Sequence, residues 1–220
     1  VQFLSLLSAL RQRFRRRRMQ RLLSVSPLRA DWRVLDVGGT LDIWAHCPVC
    51  PRLVLLNTPR AGGEPEPPGT DVVFGDGRCL PFADRSFDLA FSNSVIEHVG
   101  DEASQIAFAS EIRRVGKRYW VQTPDRWFPI EQHLWTPFIH FLPQSLQRAI
   151  VPRFSVWQLL VRVRNDQRRY YLDHYLGTVR LLSMRDLRRL FPEATIIRER
   201  IFGLSKSLVA AHGCEDRPSR

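Results

Sequence analysis

The sequence predicts an α/β fold whose ligand sits at the ends of parallel strands. Two observations carry that expectation. First, Arg33-Val34-Leu35-Asp36-Val37-Gly38-Gly39-Thr40 reads as a short apolar strand that runs straight into a glycine turn. Glycines at a strand end let a ligand approach bare backbone, because no Cβ intervenes. Second, further short apolar runs follow, separated by segments with helical spacing. In open sheets of this kind ligands bind outside the carboxyl ends of the strands.

The 220 residues suit one domain with a real core and room for one insertion. Lysine and arginine number 33 against 22 acids, a formal charge of +11. That excess invites a nucleic-acid reading, but its distribution argues against one. Residues 1–30 hold eight arginines with no acid or lysine, and 31–152 are slightly acidic. The basic character is therefore absent from the presumed ligand face. Cys47 and Cys50 form a CxxC, with Cys79 and Cys214 elsewhere. A structural zinc site usually pairs two such motifs, so no metal is expected. No run reaches the ~18 apolar residues of a membrane span. The apolar segment Phe3-Leu4-Ser5-Leu6-Leu7 precedes the arginines, the reverse of an export signal. The expected location is the cytoplasm.

Residues 2–24 are expected to be helical, with Phe3, Leu7, Leu10 and Phe14 on one face and arginines on the others. The helix would pack on the sheet domain. A basic amphipathic helix can also lie on an anionic membrane surface, such as the inner face of the membrane, or bind RNA. Pro27 ends it. Strand one is expected at 32–37 and strand two at 53–57, with a brief helix near 41–45 between them. Residues 58–70 are too rich in Pro and Gly for a helix. Strand three is expected at 71–74, strand four at 87–91, a helix at 101–116 and strand five at 119–123. A helix over 178–191, strand six over 194–199 and strand seven over 206–211 complete the pattern.

The stretch Asp71 to Val99 is the most informative. Its pattern GD-x-x-x-LPF-x-D-x-SFD-x-x-x-S-x-x-x-x-EHV closely resembles the type 11 branch of class I S-adenosylmethionine (SAM)-dependent methyltransferases. Val34-Leu35-Asp36-Val37-Gly38 resembles the opening motif of the same class. Thr40-Leu41-Asp42 stands where further glycines are usual. The resemblance covers about residues 32–212. It implies a Rossmann-like, seven-stranded, mainly parallel sheet with the last strand antiparallel and helices on both faces. With the leading helix and the end of the chain read from the residues themselves, three segments are expected: a basic helix at 1–30, a methyltransferase domain at 31–212 and a tail at 213–220. An insertion at 124–177 would serve as lid and acceptor pocket.

The implied cofactor is S-adenosyl-L-methionine. Asp36, Gly38 and Gly39 would form its turn. Asn57 stands where an acid usually binds the ribose. Asp76 would accept from the adenine amino group, beside the Gly77 amide and an apolar wall from Leu80. Ser92 and Asn93 would hold the amino-acid part. Asp88 is expected to orient strand four, and His98 to be structural. For a base, His133 is the first candidate, Glu131 an orienting group and Asp125 a third possibility. The run TPDRWFPIEQHLWTPFIHFLP resembles bacterial small-molecule methyltransferases. The expected function is methyl transfer to a small-molecule or lipid-linked acceptor. Two alternatives stand beside it: RNA or protein methylation using the basic helix, and a silent SAM-fold scaffold.

Overall fold

A computed structural model describes residues 2–59, 71–134, 136–154 and 178–213. The chain divides into two compact units. One comprises Val1–Asn93, Ala109–Val121 and Ala211–Arg220; the other comprises Ser94–Phe108 and Gln122–Ala210.

The first unit opens with α1 (Gln2–Val25). Its Met19 and Leu22 have no exposed surface, and even Arg18 is only 8% exposed. The polar contacts of α1 run to strand-end loops. Arg15 pairs with Asp42 at 3.0 Å, Gln12 meets the His46 ring at 2.8 Å, and Arg18 donates to Asn93 Oδ1 at 2.5 Å. The helix is thus part of the folded unit; the side chains of Phe3, Leu7 and Leu10, expected to form its apolar face, lie outside those described.

Strands β1 (Arg33–Val37), β2 (Arg52–Asn57), β3 (Asp71–Phe74) and β4 (Leu89–Asn93) follow. β1 pairs in parallel with β2 on one side and β4 on the other, and β2 pairs in parallel with β3. The interiors of β1 and β4 are fully apolar except for Asp36 and Ser92, as strands covered on both faces require. A single short helix, α2 (Leu41–Trp44), joins β1 to β2. α3 (Glu102–Val115) and β5 (Tyr119–Pro124) lie within two residues of their expected bounds. β4 starts two residues later than expected. Phe87 makes only an isolated bridge to Gly116, and Asp88 instead turns its carboxylate to the Arg33 amide and to Lys117.

The second unit carries a small hairpin, β6 (Ile130–Glu131) and β7 (Thr136–Pro137), then α4 (Gln144–Phe154) and α5 (Met184–Leu190). β8 (Thr195–Ile201) and β9 (Leu204–His212) close the chain's sheet pattern. α5 begins six residues later than the helix expected over 178–191. Ser183 caps it: its hydroxyl accepts from the Asp186 amide, and the Asp186 carboxylate returns to the Ser183 amide. That reciprocal pair fixes a helix start. Leu134, Ile139 and Val151 form a local core, with Val179 packed against it. The remainder of the expected insertion, and most of the Pro/Gly-rich loop, lie outside the described residues.

Seven strands hydrogen-bond in the order β3-β2-β1-β4-β5-β9-β8, mainly parallel, with β9 antiparallel. The chain moves outward from β1 through β2 to β3, then crosses back to β4 on the other side of β1. That reversal is a topological switch point, where open α/β sheets leave a crevice for ligand. The carboxyl ends of β1 and β4 flank it.

Candidate active site

Six of the expected cofactor residues come together at the switch point. Gly38 takes φ +75°, a conformation that glycine adopts without cost, and its amide donates to Leu56 O at 2.7 Å. Gly39 must also be glycine. A Cβ there would lie 1.9 Å from Asp36 Oδ2 and 2.4 Å from Oδ1. The Asp36 carboxyl is fully buried, takes the Trp44 indole N–H at 2.7 Å on Oδ2, and has no hydrogen-bond partner on Oδ1. Burial pushes its pKa up to about 7, against the smaller opposing pull of the Trp44 bond. Asn57 donates to Gly39 O at 3.1 Å, so its amide holds the turn from the neighbouring strand. On β4, buried Ser92 donates to Val37 O at 3.1 Å and ties the two strand ends together. Asn93 receives Arg18.

Asp76, Gly77 and Leu80 lie in the loop after β3, which starts where the Gly75 amide meets Asn57 O at 2.9 Å. The Asp76 carboxylate accepts from the Arg78 amide at 2.8 Å and from its guanidinium at 2.6 Å. The Arg78 bond holds the Asp76 pKa below the usual range. Leu80 is buried. Its amide donates to Glu111 Oε2 at 2.6 Å, while Arg114 donates to Leu80 O, Phe82 O and the Asp84 carboxylate at 3.0, 2.7 and 2.8 Å. Arg114 sits in the last turn of α3. In the structure it clamps this loop.

The three expected catalytic residues lie in the second unit. Asp125 is buried and accepts from the Trp127 amide at 3.0 Å, so its carboxylate holds its own turn. Glu131, on β6, is 1% exposed. It takes the Leu134 amide on Oε2 at 2.5 Å and His133 Nδ1 on Oε1 at 2.7 Å. His133 Nε2 in turn lies 3.0 Å from His98 Nε2. Burial pulls the His133 pKa down, but the Glu131 bond and charge, with help from Glu97, outweigh it and leave it raised. Glu97 is fully buried and accepts from Thr123 Oγ1 at 2.9 Å. His98 closes a 3₁₀ turn over Ile96–His98.

Four residues at these sites were given no site role from the sequence: Arg18, Trp44, Glu97 and Arg114. Each acts through a contact distant in sequence, except Trp44, eight residues from Asp36.

A methyltransferase-domain family matches residues 50–119. A protein of Encephalitozoon cuniculi that carries a provisional methyltransferase name is 43% identical over 65 residues, 30% of this chain and 29% of its own. An uncharacterised 37.1 kDa protein of Streptomyces fradiae transposon TN4556 is 38% identical over 58 residues, 26% of this chain and 17% of its own. The chain therefore spans less than a third of either relative. Among solved structures, Burkholderia thailandensis 1,6-didemethyltoxoflavin-N1-methyltransferase, with S-adenosylhomocysteine bound, aligns at TM-score 0.53. It is 14% identical over 93% of this chain and 78% of that one. The PH0226 protein of Pyrococcus horikoshii aligns at 0.51, 16% identical over 91% of each. A Rhodobacter sphaeroides chain provisionally named a Zn-dependent alcohol dehydrogenase aligns at 0.58 with 10% identity over 91% of this chain and 89% of that one. At such identities the likeness is one of fold.

Residues 50–119 match a methyltransferase-domain family, and the strand order with a glycine turn at its switch point gives the chain the Rossmann-like fold of the class I, SAM-type methyltransferases. S-adenosyl-L-methionine is the cofactor of that class. The cradle fits such a group, with a Cβ-free turn at Gly39, an orphaned buried Oδ1 on Asp36 and a carboxylate beyond β3 on Asp76.

Proposed function

We propose that this protein transfers a methyl group to a small-molecule or lipid-linked acceptor. The observation that carries the reading is the cradle at the β1/β4 switch point, set beside a segment of methyltransferase-domain sequence. When bound, S-adenosylmethionine supplies an electrophilic methyl on a sulfonium. Gly38 and Gly39 offer bare backbone to its amino-acid end, with Ser92 and Asn93 beside them. Asn57 has one donor and one acceptor for ribose hydroxyls. Asp76 accepts from the adenine amino group, sharing its carboxylate with Arg78, and Leu80 walls the ring. Positioning and exclusion of water are then the protein's main contributions.

A hydroxyl acceptor must also lose a proton. We assign that role to His133. Glu131 holds the proton on Nδ1, which leaves Nε2 as the basic nitrogen, shared at rest with His98. Glu131 is a positioning residue and Asp125 a structural one in this reading. Exposed Trp127, Phe138 and Phe141, with Trp127 and Phe141 stacked, favour an apolar acceptor. The packing of α1 weighs against its use as an RNA arm.

The test is transfer of labelled methyl from SAM to a panel of small phenols, amines, lipid extracts, RNA and protein. Label in the small-molecule or lipid fraction is expected, with turnover lost and S-adenosylhomocysteine binding kept in His133→Ala. Label confined to RNA or protein would overturn the acceptor class.

A further inference from the structure

We propose that Glu97, His98 and His133 form a binding site for a divalent first-row transition-metal ion. Their ligand atoms all lie within 4.8 Å of one another. The three residues come from two segments 35 or more positions apart, so the convergence is a product of folding. The two histidine Nε2 atoms are 3.0 Å apart. Two nitrogens bound to one ion at about 2.0–2.1 Å fall close to that separation when they subtend a near-tetrahedral or right angle.

The surroundings suit a ligand set. Glu131 Oε1 engages His133 Nδ1, which keeps the proton there and turns the Nε2 lone pair toward His98. A carboxylate behind a histidine is the usual outer partner of a metal-bound imidazole. Glu131 is fixed in turn by the Leu134 amide. Glu97 is steadied by Thr123, and its turn is held by Gln105, which donates to Ile96 O at 3.1 Å. Charge points the same way. Glu97 and Glu131 are 0% and 1% exposed. Buried carboxylates are paired or bind metal, because burial of an unbalanced charge is costly. Two imidazoles and one carboxylate suit Zn²⁺, Fe²⁺, Co²⁺ or Ni²⁺ rather than Mg²⁺ or Ca²⁺.

The ion takes the place of the proton shared between His98 and His133. Binding breaks that hydrogen bond: a neutral His98 then carries its proton on Nδ1, and a protonated one releases a proton to solvent. It also occupies Nε2 of His133, so the metal-loaded form lacks the base assigned above. This inference stands on the second unit alone and does not depend on methyl transfer.

The test is titration of the untagged full chain with Co²⁺ and Zn²⁺ by calorimetry and visible absorption. The expected result is one ion per chain with weak d–d bands of nitrogen and oxygen ligands. His98→Ala should weaken binding at least tenfold, and Glu131→Gln, which keeps the shape of the buried cluster, about 10–100-fold. Unchanged affinity in both variants, or no binding by the wild type, would overturn the site. So would an intense thiolate charge-transfer band that persists in His98→Ala, since it would put the ion at Cys47 and Cys50. S-adenosylhomocysteine is titrated into the same samples. Binding of it without metal binding would defeat this inference and leave the methyltransferase reading standing.

Discussion

A Cβ on Gly39 would fall 1.9 Å from Oδ2 of Asp36, inside the buried carboxyl that Trp44 also holds. The strand residue and the turn residue thus occupy one space. Neither can move freely, because the carboxyl is buried and short. Gly39→Ala is expected to lose S-adenosylhomocysteine binding and to destabilise the chain. Asp36→Ala should relieve the clash. In a double-mutant cycle the Gly39→Ala cost should fall by more than ~1 kcal/mol in the Asp36→Ala background. Additive losses, read from denaturant unfolding, would contradict the contact.

Asp36 also makes stability depend on pH. Its carboxyl keeps its proton in the folded chain up to about pH 7 and, in the unfolded chain, only to 3.8. Folding therefore takes up a proton between those values. The stabilisation is fully present below the unfolded pKa and is lost as pH rises through the folded one. Thermal midpoints should fall from pH 5 to pH 8 in the wild type. Asp36→Asn, which cannot ionise and still accepts from Trp44, should show a flatter profile over the same window. Equal slopes would remove Asp36 as the cause.

Arg114 and Glu111 hold the loop that carries Asp76 and Leu80. Removing the guanidinium leaves Leu80 O and Phe82 O without this donor. Arg114→Ala is expected to weaken S-adenosylhomocysteine binding severalfold, with the circular dichroism spectrum retained. Arg113→Ala, which removes the same charge one residue earlier on α3, is the comparison. Equal effects of the two variants would reduce the clamp to a general charge effect.

Met19 and Leu22 place α1 in the core of the first unit. Leu22→Ala should cost about 2–5 kcal/mol, as for other fully buried leucines. A helix that served only as a membrane or RNA arm would lose binding, not stability, on this change. Denaturant unfolding of Leu22→Ala decides between them.

Much of the sheet was legible in the sequence because strands read from local apolar runs. β1, β2, β3 and β5 fall within a residue or two of their expected bounds. β4 shifted because the Asp88 side chain bonds the Arg33 amide, 55 positions away. The late start of α5 was legible in principle: the cap Ser183-Met184-Arg185-Asp186 is local, with its Ser and Asp three residues apart. The strand-end residues Asp36, Gly38, Gly39 and Asn57 were visible through motif resemblance. The Arg18 contact with Asn93 and the His98 contact with His133 join residues 75 and 35 apart, and no spacing rule brings them together. His98, expected to be structural, proved to be the direct neighbour of the candidate base.

Calorimetric titration of S-adenosylhomocysteine into the wild type and Asp76→Ala tests the central claim most directly. Saturable one-to-one binding is expected in the wild type. Loss of one charged hydrogen bond, worth about 1.5–3 kcal/mol, should weaken it roughly 10–100-fold in the variant. No binding by the wild type would leave a methyltransferase fold without its cofactor, and equal binding by both proteins would move the adenine away from the loop after β3.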